Sequence, residues 1–130
     1  MTKRVLIVDD DPDVRLFNTT VAEECGYAVS EADNGETALD KIRKEKPELV
    51  LLDVLMPRQS GIRLYRELKT DKALKNIHVV ILSGIAKKTF LRSQKALTEF
   101  GGAPVPEPEY YLEKPVEPET LAQTIRAILG

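Results

Sequence analysis

The chain has 130 residues, 42% hydrophobic and 31% charged, with 19 Lys and Arg against 21 Asp and Glu; this balance excludes a disordered or fibrous chain. No window approaches the roughly 18 consecutive apolar residues of a membrane span, and a weakly acidic chain without a Lys/Arg stripe offers no footprint for direct nucleic-acid binding. A lone Cys25 excludes an internal disulfide or a cysteine-based zinc site, and a lone His78 at the start of an apolar run is a poor basis for a Ser/His/Asp triad. One cytoplasmic domain over residues 1–130, without membrane contact, is the expectation.

The first apolar run, Arg4 to Val8, ends on Asp9-Asp10. Asp11 then reads as an N-cap with Pro12 at the first helical position, and Val14, Phe17 and Val21 as the buried face of that helix. Gly26 stops it, and Tyr27 to Ser30 form a short second strand. Asn34 caps a second helix carrying Ala38, Leu39 and Ile42 to about Lys46, where Pro47 intervenes. The third strand ends at Asp53. After a loop with Pro57 and Gly61, a third helix presents Ile62, Leu64, Tyr65 and Leu68.

The fourth strand spans Ile77 to Leu82 and leads to Ser83. A fourth helix from Lys87 to Phe100 carries a thin stripe of Phe90, Leu97 and Phe100, and Gly101-Gly102 stop it. The segment 103–109 holds Pro104, Pro106 and Pro108 at alternate positions, which favours a stiff, extended, solvated spacer. The fifth strand is Tyr110 to Glu113, before Lys114-Pro115. The last helix has Pro118 near its start and Leu121, Ile125 and Ile128 at helical spacing.

Five short apolar strands alternating with five amphipathic helices give an α/β fold, a doubly wound parallel sheet with helices on both faces. Right-handed crossovers favour the flavodoxin-like order 2-1-3-4-5, with a switch point between the first and third strands. Asp9, Asp10 and Asp53 then meet at one crevice, with Ser83 and Lys114 beside it. Carboxylates so close repel by about 4 kcal/mol per pair at roughly 4 Å. Oxygen ligands without His or Cys suit a hard divalent ion, and a partial set of carboxylates suits Mg²⁺. A metal, an ammonium and a hydroxyl around a carboxylate form a receptor for a phosphoryl group. Asp53, alone at its strand end, is the expected acceptor, and Asp11 is a cap rather than a ligand.

The acidic pair Asp9-Asp10, Asp53 followed by Val-Leu-Met56-Pro57 and Gly61, Ser83 ending the fourth strand, and Tyr111-Leu-Glu-Lys114-Pro115 together resemble the receiver domain of two-component response regulators, the CheY-like superfamily. The resemblance covers the whole chain. It implies that Asp53 is the phosphoacceptor, that Asp10 binds Mg²⁺ directly together with Asp53, and that Asp9 does so through water. The backbone carbonyl of Leu55 completes the implied ligands. Ser83 becomes the switch hydroxyl, Tyr111 the switch aromatic and Lys114 the phosphate partner, joined to Pro115 by a cis peptide bond. The implied donor is a sensor histidine kinase or a histidine phosphotransfer protein, since the chain has neither a phosphodonor histidine nor a nucleotide-binding motif. The implied output and homodimer surface is the fourth helix, fifth strand and fifth helix. The domain is then a signalling switch and not an enzyme beyond its own phosphoryl transfer.

Two apolar residues, Leu55 and Ile85, occupy positions that tune dephosphorylation in the family and predict slow loss of the phosphoryl group. The longer segment between Ser83 and Lys114 departs from the pattern and adjoins the output surface. Two other readings compete. A haloacid dehalogenase-like phosphatase uses an Asp-x-Asp after its first strand, as Asp9-Asp10-Asp11 formally provides, but needs further acidic ligands late in the chain. A receiver fold that is never phosphorylated has little use for three carboxylates and Lys114.

Overall fold

Residues 2–57, 60–99, 102 and 104–130 are described by the computed structural model. The expected roles of Phe100, Gly101 and Ala103 lie outside the described residues. Five strands pair in parallel in the order β2-β1-β3-β4-β5, formed by Arg4–Val8 (β1), Ala28–Ala32 (β2), Leu49–Leu52 (β3), His78–Ser83 (β4) and Tyr110–Glu113 (β5). The helices between and after them are Pro12–Glu24 (α1), Gly35–Glu45 (α2), Ser60–Thr70 (α3), Lys87–Glu99 (α4) and Pro118–Leu129 (α5). The expected fold class and strand order are those observed.

The three central strands are nearly continuous runs of Val, Leu and Ile because both their faces are covered. Alternation then divides the core. On one face Leu6, Val8, Val50, Leu52 and Ile81 pack with Ala38 and Ile42 of α2, Tyr65 and Leu68 of α3 and Phe90 of α4. On the other, Val5, Ile7, Leu49, Leu51 and Val80 pack with Val21 and Ala22 of α1 and Leu121 and Ile125 of α5. Burying each large apolar side chain contributes about 1.5–3 kcal/mol. Both layers place the carboxyl ends of the strands on one edge.

Local signals set the helix limits. Asp11 caps α1, its carboxylate accepting from the N–H groups of Asp13 and Val14, with Pro12 at the first helical position. Gly26, at φ +95°, ends that helix while its N–H donates to the Glu23 carbonyl, a left-handed position that favours glycine. Asn34 caps α2 through the Thr37 N–H at 2.8 Å, and Lys46 closes it in the left-handed region.

Four expectations change. Phe17 is 37% exposed and Leu16 63% exposed, because α1 turns Asn18, Thr19, Val21 and Ala22 inward instead. The second strand runs two residues further, to Ala32, since its register follows β1 through Val8. The inward stripe of α4 includes the polar Gln94, which is buried and donates to the Ile62 carbonyl. The segment before β5 is no simple solvated spacer. Its Pro108 is buried, Val105 packs on the core, and the Pro106 carbonyl accepts from the Tyr65 hydroxyl at 2.7 Å. His78 Nδ1 lies 3.0 Å from Glu109 Oε1.

Candidate functional site

The crevice opens where the order reverses, between the ends of β1 and β3, each of which is followed by a helix on an opposite face. Asp9 and Asp53 extend their strands by one residue, through Asp9 N–H to the Ala32 carbonyl at 3.1 Å and Asp53 N–H to the Val8 carbonyl at 2.9 Å. Both are buried, at 1% and 6% exposure, whereas Asp10 is exposed. One carboxylate oxygen from each of the three lies within 4.8 Å of the other two.

Lys114 brings the counter-charge. Its backbone N–H continues the β4 ladder by donating to the Ser83 carbonyl at 2.8 Å, and the peptide to Pro115 is cis. Its ammonium stands 3.1 Å from Asp9 Oδ2 and 3.5 Å from Asp53 Oδ2. Three carboxylates facing one ammonium leave two negative charges, the charge a divalent cation neutralises. An all-oxygen donor set with one solvent-facing member fits Mg²⁺.

The carboxylates are held differently. Asp9 Oδ1 accepts from the Asp11 N–H at 2.9 Å and Oδ2 from Lys114, while the Asp9 carbonyl accepts from Arg15 Nη1 at 2.9 Å. Asp53 Oδ1 accepts from the Leu55 N–H at 2.8 Å, leaving Oδ2 toward Lys114. Burial pushes the Asp53 carboxyl above its usual range; the Leu55 N–H and Lys114 draw it back, and Asp9 adds to the rise. Gly61 at the start of α3 packs its backbone on this strand end. A Cβ there would collide with the Asp53 carbonyl oxygen and Val54 Cα, which ties α3 to the position of Asp53.

Ser83 is fully buried at the end of β4, and its Oγ accepts from the Ile85 N–H at 3.3 Å. The Tyr111 hydroxyl donates to the Ile85 carbonyl at 2.7 Å. It is pushed up to about 12 by burial, with the Ser83 hydroxyl opposing and Glu113 and Asp53 assisting. Its ring meets Phe90 at 5.5 Å, and Phe90 meets Tyr65 edge-on at 5.5 Å. Tyr110 lies on the opposite face of the sheet. Leu55 is 60% exposed beside Asp53, and Ile85 packs partly on the core.

The strand ends thus gather Asp9, Asp10, Asp53 and Lys114, with Ser83 and Tyr111 on the adjoining β4 and β5. Arg15 escapes a reading of strand ends because it reaches back from inside α1. Its one sequence signal is an arginine one turn past the Asp11 cap.

The response regulator receiver domain matches residues 5–126 of the chain. The chain is 36% identical over 127 residues to protein PilH of Pseudomonas aeruginosa, covering 98% of each. It is 32% identical over 131 residues to the polar-differentiation response regulator DivK of Brucella ovis, covering all of this chain and 98% of that one. It superposes on the chemotaxis response regulator CheY4 of Vibrio cholerae with a TM-score of 0.80 at 26% identity, covering 98% and 99% of the two chains. A CheY-like receiver domain protein from Methanospirillum hungatei gives 0.79 at 27% identity, covering 98% and 93%. Sequence, topology and the edge where the acidic cluster lies agree: the chain belongs to the response regulator receiver domain family, the signalling switches of two-component systems.

Proposed function

We propose that residues 1–130 act as one phosphoacceptor switch in which Asp53 takes a phosphoryl group from a phosphohistidine on a sensor kinase or phosphotransfer protein. The observation that carries this reading is the asymmetry of Asp53. Oδ1 is held by the Leu55 N–H, while Oδ2 faces Lys114 and the acidic pair. Oδ2 attacks phosphorus as the bond from phosphorus to the donor imidazole nitrogen breaks, the electron pair staying on that nitrogen. Asp10, Asp53 and the Leu55 carbonyl would hold Mg²⁺, with Asp9 bridged by water. The ion supplies neutralisation of the phosphoryl oxygens when bound.

Lys114 and Ser83 read the product. Moving a switch from about 1:99 to 99:1 takes about 5.5 kcal/mol, and one hydrogen bond to a charged group supplies about 1.5–3. Both residues must therefore engage the phosphoryl oxygens. Ser83 leaves its contact with the Ile85 N–H, and Tyr111, bonded to the Ile85 carbonyl, follows that loop. The surface of α4, β5 and α5 changes in consequence, and homodimerisation through it belongs to the same reading. A phosphatase using Asp9 and Asp11 is less well supported, because the Asp11 carboxylate is engaged in capping α1.

The test is incubation with a small acyl phosphate donor and Mg²⁺, followed by intact mass. One phosphoryl mass gain that disappears in Asp53→Asn is expected. No Asp53-dependent gain would sink the reading, and sizing before and after phosphorylation tests the homodimer.

A further inference from the structure

Among the described residues, the Asp10 carboxylate makes no hydrogen bond or ion pair, whereas Asp9 and Asp53 are tied at their carboxylates by protein groups. Asp10 is also the exposed member of the trio. Its side chain therefore has no restraint of its own, and its aim depends on the two peptide planes that meet at its Cα. The plane after it is pinned because the Asp11 N–H donates to Asp9 Oδ1 at 2.9 Å. The plane before it is pinned because the Asp9 carbonyl accepts from Arg15 Nη1 at 2.9 Å.

Arg15 is itself held. Its Nε donates to Glu31 Oε1 on β2 at 3.0 Å, and its side chain is 22% exposed. Glu31 is anchored by its place in the β1–β2 pairing, and its carbonyl takes the Lys41 ammonium. A planar guanidinium serves the two acceptors from adjacent nitrogens at once, which an ammonium on a flexible stem does not reproduce.

We propose that Arg15 is a positioning residue for the metal ligand Asp10, acting through the Asp9 carbonyl with Glu31 as its anchor. This rests on the Mg²⁺ reading of the crevice. Without the guanidinium the peptide between Asp9 and Asp10 can rotate, and the Asp10 carboxylate loses its aim while Asp9 stays fixed by Lys114 and the Asp11 N–H. Partners that orient ligands from outside the coordination sphere typically change metal affinity by about 10–100-fold.

The sign of the effect separates positioning from charge. Arg15 is a cation near an acidic cluster, so charge alone makes its removal tighten Mg²⁺ binding. Lost positioning weakens it. The experiment is calorimetric titration of the unphosphorylated protein with MgCl₂ at fixed ionic strength, with urea unfolding in chelator to check that each variant is folded. Arg15→Lys keeps the charge and removes the fork, and it is expected to bind Mg²⁺ about tenfold more weakly. Arg15→Ala is expected to bind more weakly as well, despite the lost positive charge. In an Asp10→Asn background, Arg15→Lys is expected to have no further effect.

Unchanged affinity in Arg15→Lys, tighter binding in Arg15→Ala, or full additivity with Asp10→Asn would each overturn the proposal while leaving the Mg²⁺ site standing. A parent protein that takes up no Mg²⁺ would overturn both.

Discussion

The Lys114 ammonium lies closer to Asp9 than to Asp53, at 3.1 Å against 3.5 Å, so Lys114 is a counter-ion to Asp9 before it is one to the proposed phosphoacceptor. Removing it leaves two buried carboxylates without their cation. Breaking a fully buried pair costs about 3–5 kcal/mol, and the 26% exposure of Lys114 reduces that. Lys114→Met is expected to lower stability by about 2 kcal/mol in chelator, with Mg²⁺ restoring more in the variant than in the parent. Urea unfolding with and without Mg²⁺ measures this, and an unchanged midpoint in chelator would contradict it.

Asp53 makes the opposite contribution. Burial raises its carboxyl above the ordinary 3.8, so the folded chain holds that proton more tightly than the unfolded chain. Stability linked to this group is complete below 3.8 and is lost as pH rises through the raised value. At neutral pH the ionised group is therefore a liability in metal-free protein. Asp53→Asn is expected to raise stability there by roughly 0.5–2 kcal/mol, the usual gain when a functional compromise is relieved. That advantage should vanish in acid and shrink when Mg²⁺ stabilises the parent. Destabilisation at neutral pH in chelator would refute it.

On the proposed function, Leu55 leaves a phosphoryl group on Asp53 without a polar side chain at that position. It is 60% exposed, so replacement costs little packing. A water positioned by a full general base gains roughly 10²–10⁴-fold in rate, and an amide that only orients the water gains less. The parent is expected to lose its phosphoryl group slowly, over minutes or longer, and Leu55→Asn about tenfold faster. Time-resolved intact mass after donor removal is the measurement; turnover within seconds in the parent would exclude it.

The strand order and the crevice were legible because long-range geometry here follows from short-range rules. Continuous apolar strands need cover on both faces, crossovers are right-handed, and the polar residues ending those strands fall on one edge. What escaped the sequence was decided by side chains that cross between elements. Phe17 satisfies helical spacing equally well on an outward face, and nothing local shows that Thr19 and Ala22 are the residues turned inward. Arg15 reaching Glu31 on β2 and Tyr65 reaching the Pro106 carbonyl join residues whose proximity only the assembled fold creates.

The Tyr65 bond shows that the segment before β5 is held down. Its hydroxyl meets the Pro106 carbonyl at 2.7 Å, while its ring is fully buried against Phe90. Tyr65→Phe keeps the ring and removes only the donor, a loss of about 1 kcal/mol. Because Glu109 follows the buried Pro108, loosening the segment is expected to speed cleavage after Glu109 by a glutamate-specific protease. Equal cleavage rates in parent and variant would show that Val105 and Pro108 hold it without the hydroxyl.

Asp71 supplies a pH dependence of the opposite sign to Asp53, far from the crevice. Its carboxylate accepts from the Ala73 N–H at 2.8 Å and from Arg43 at 2.9 Å, and these bonds hold its carboxyl below the ordinary 3.8, the backbone bond most strongly. The unfolded chain therefore takes up this proton first as pH falls. The contribution is present above 3.8 and is lost as pH drops through the lower folded value. Asp71→Asn is expected to be less stable than the parent at neutral pH and to converge with it in acid. Thermal midpoints of the two proteins across that range decide it, and a constant difference at every pH would assign the effect to the turn at residues 71–73 and not to the charge.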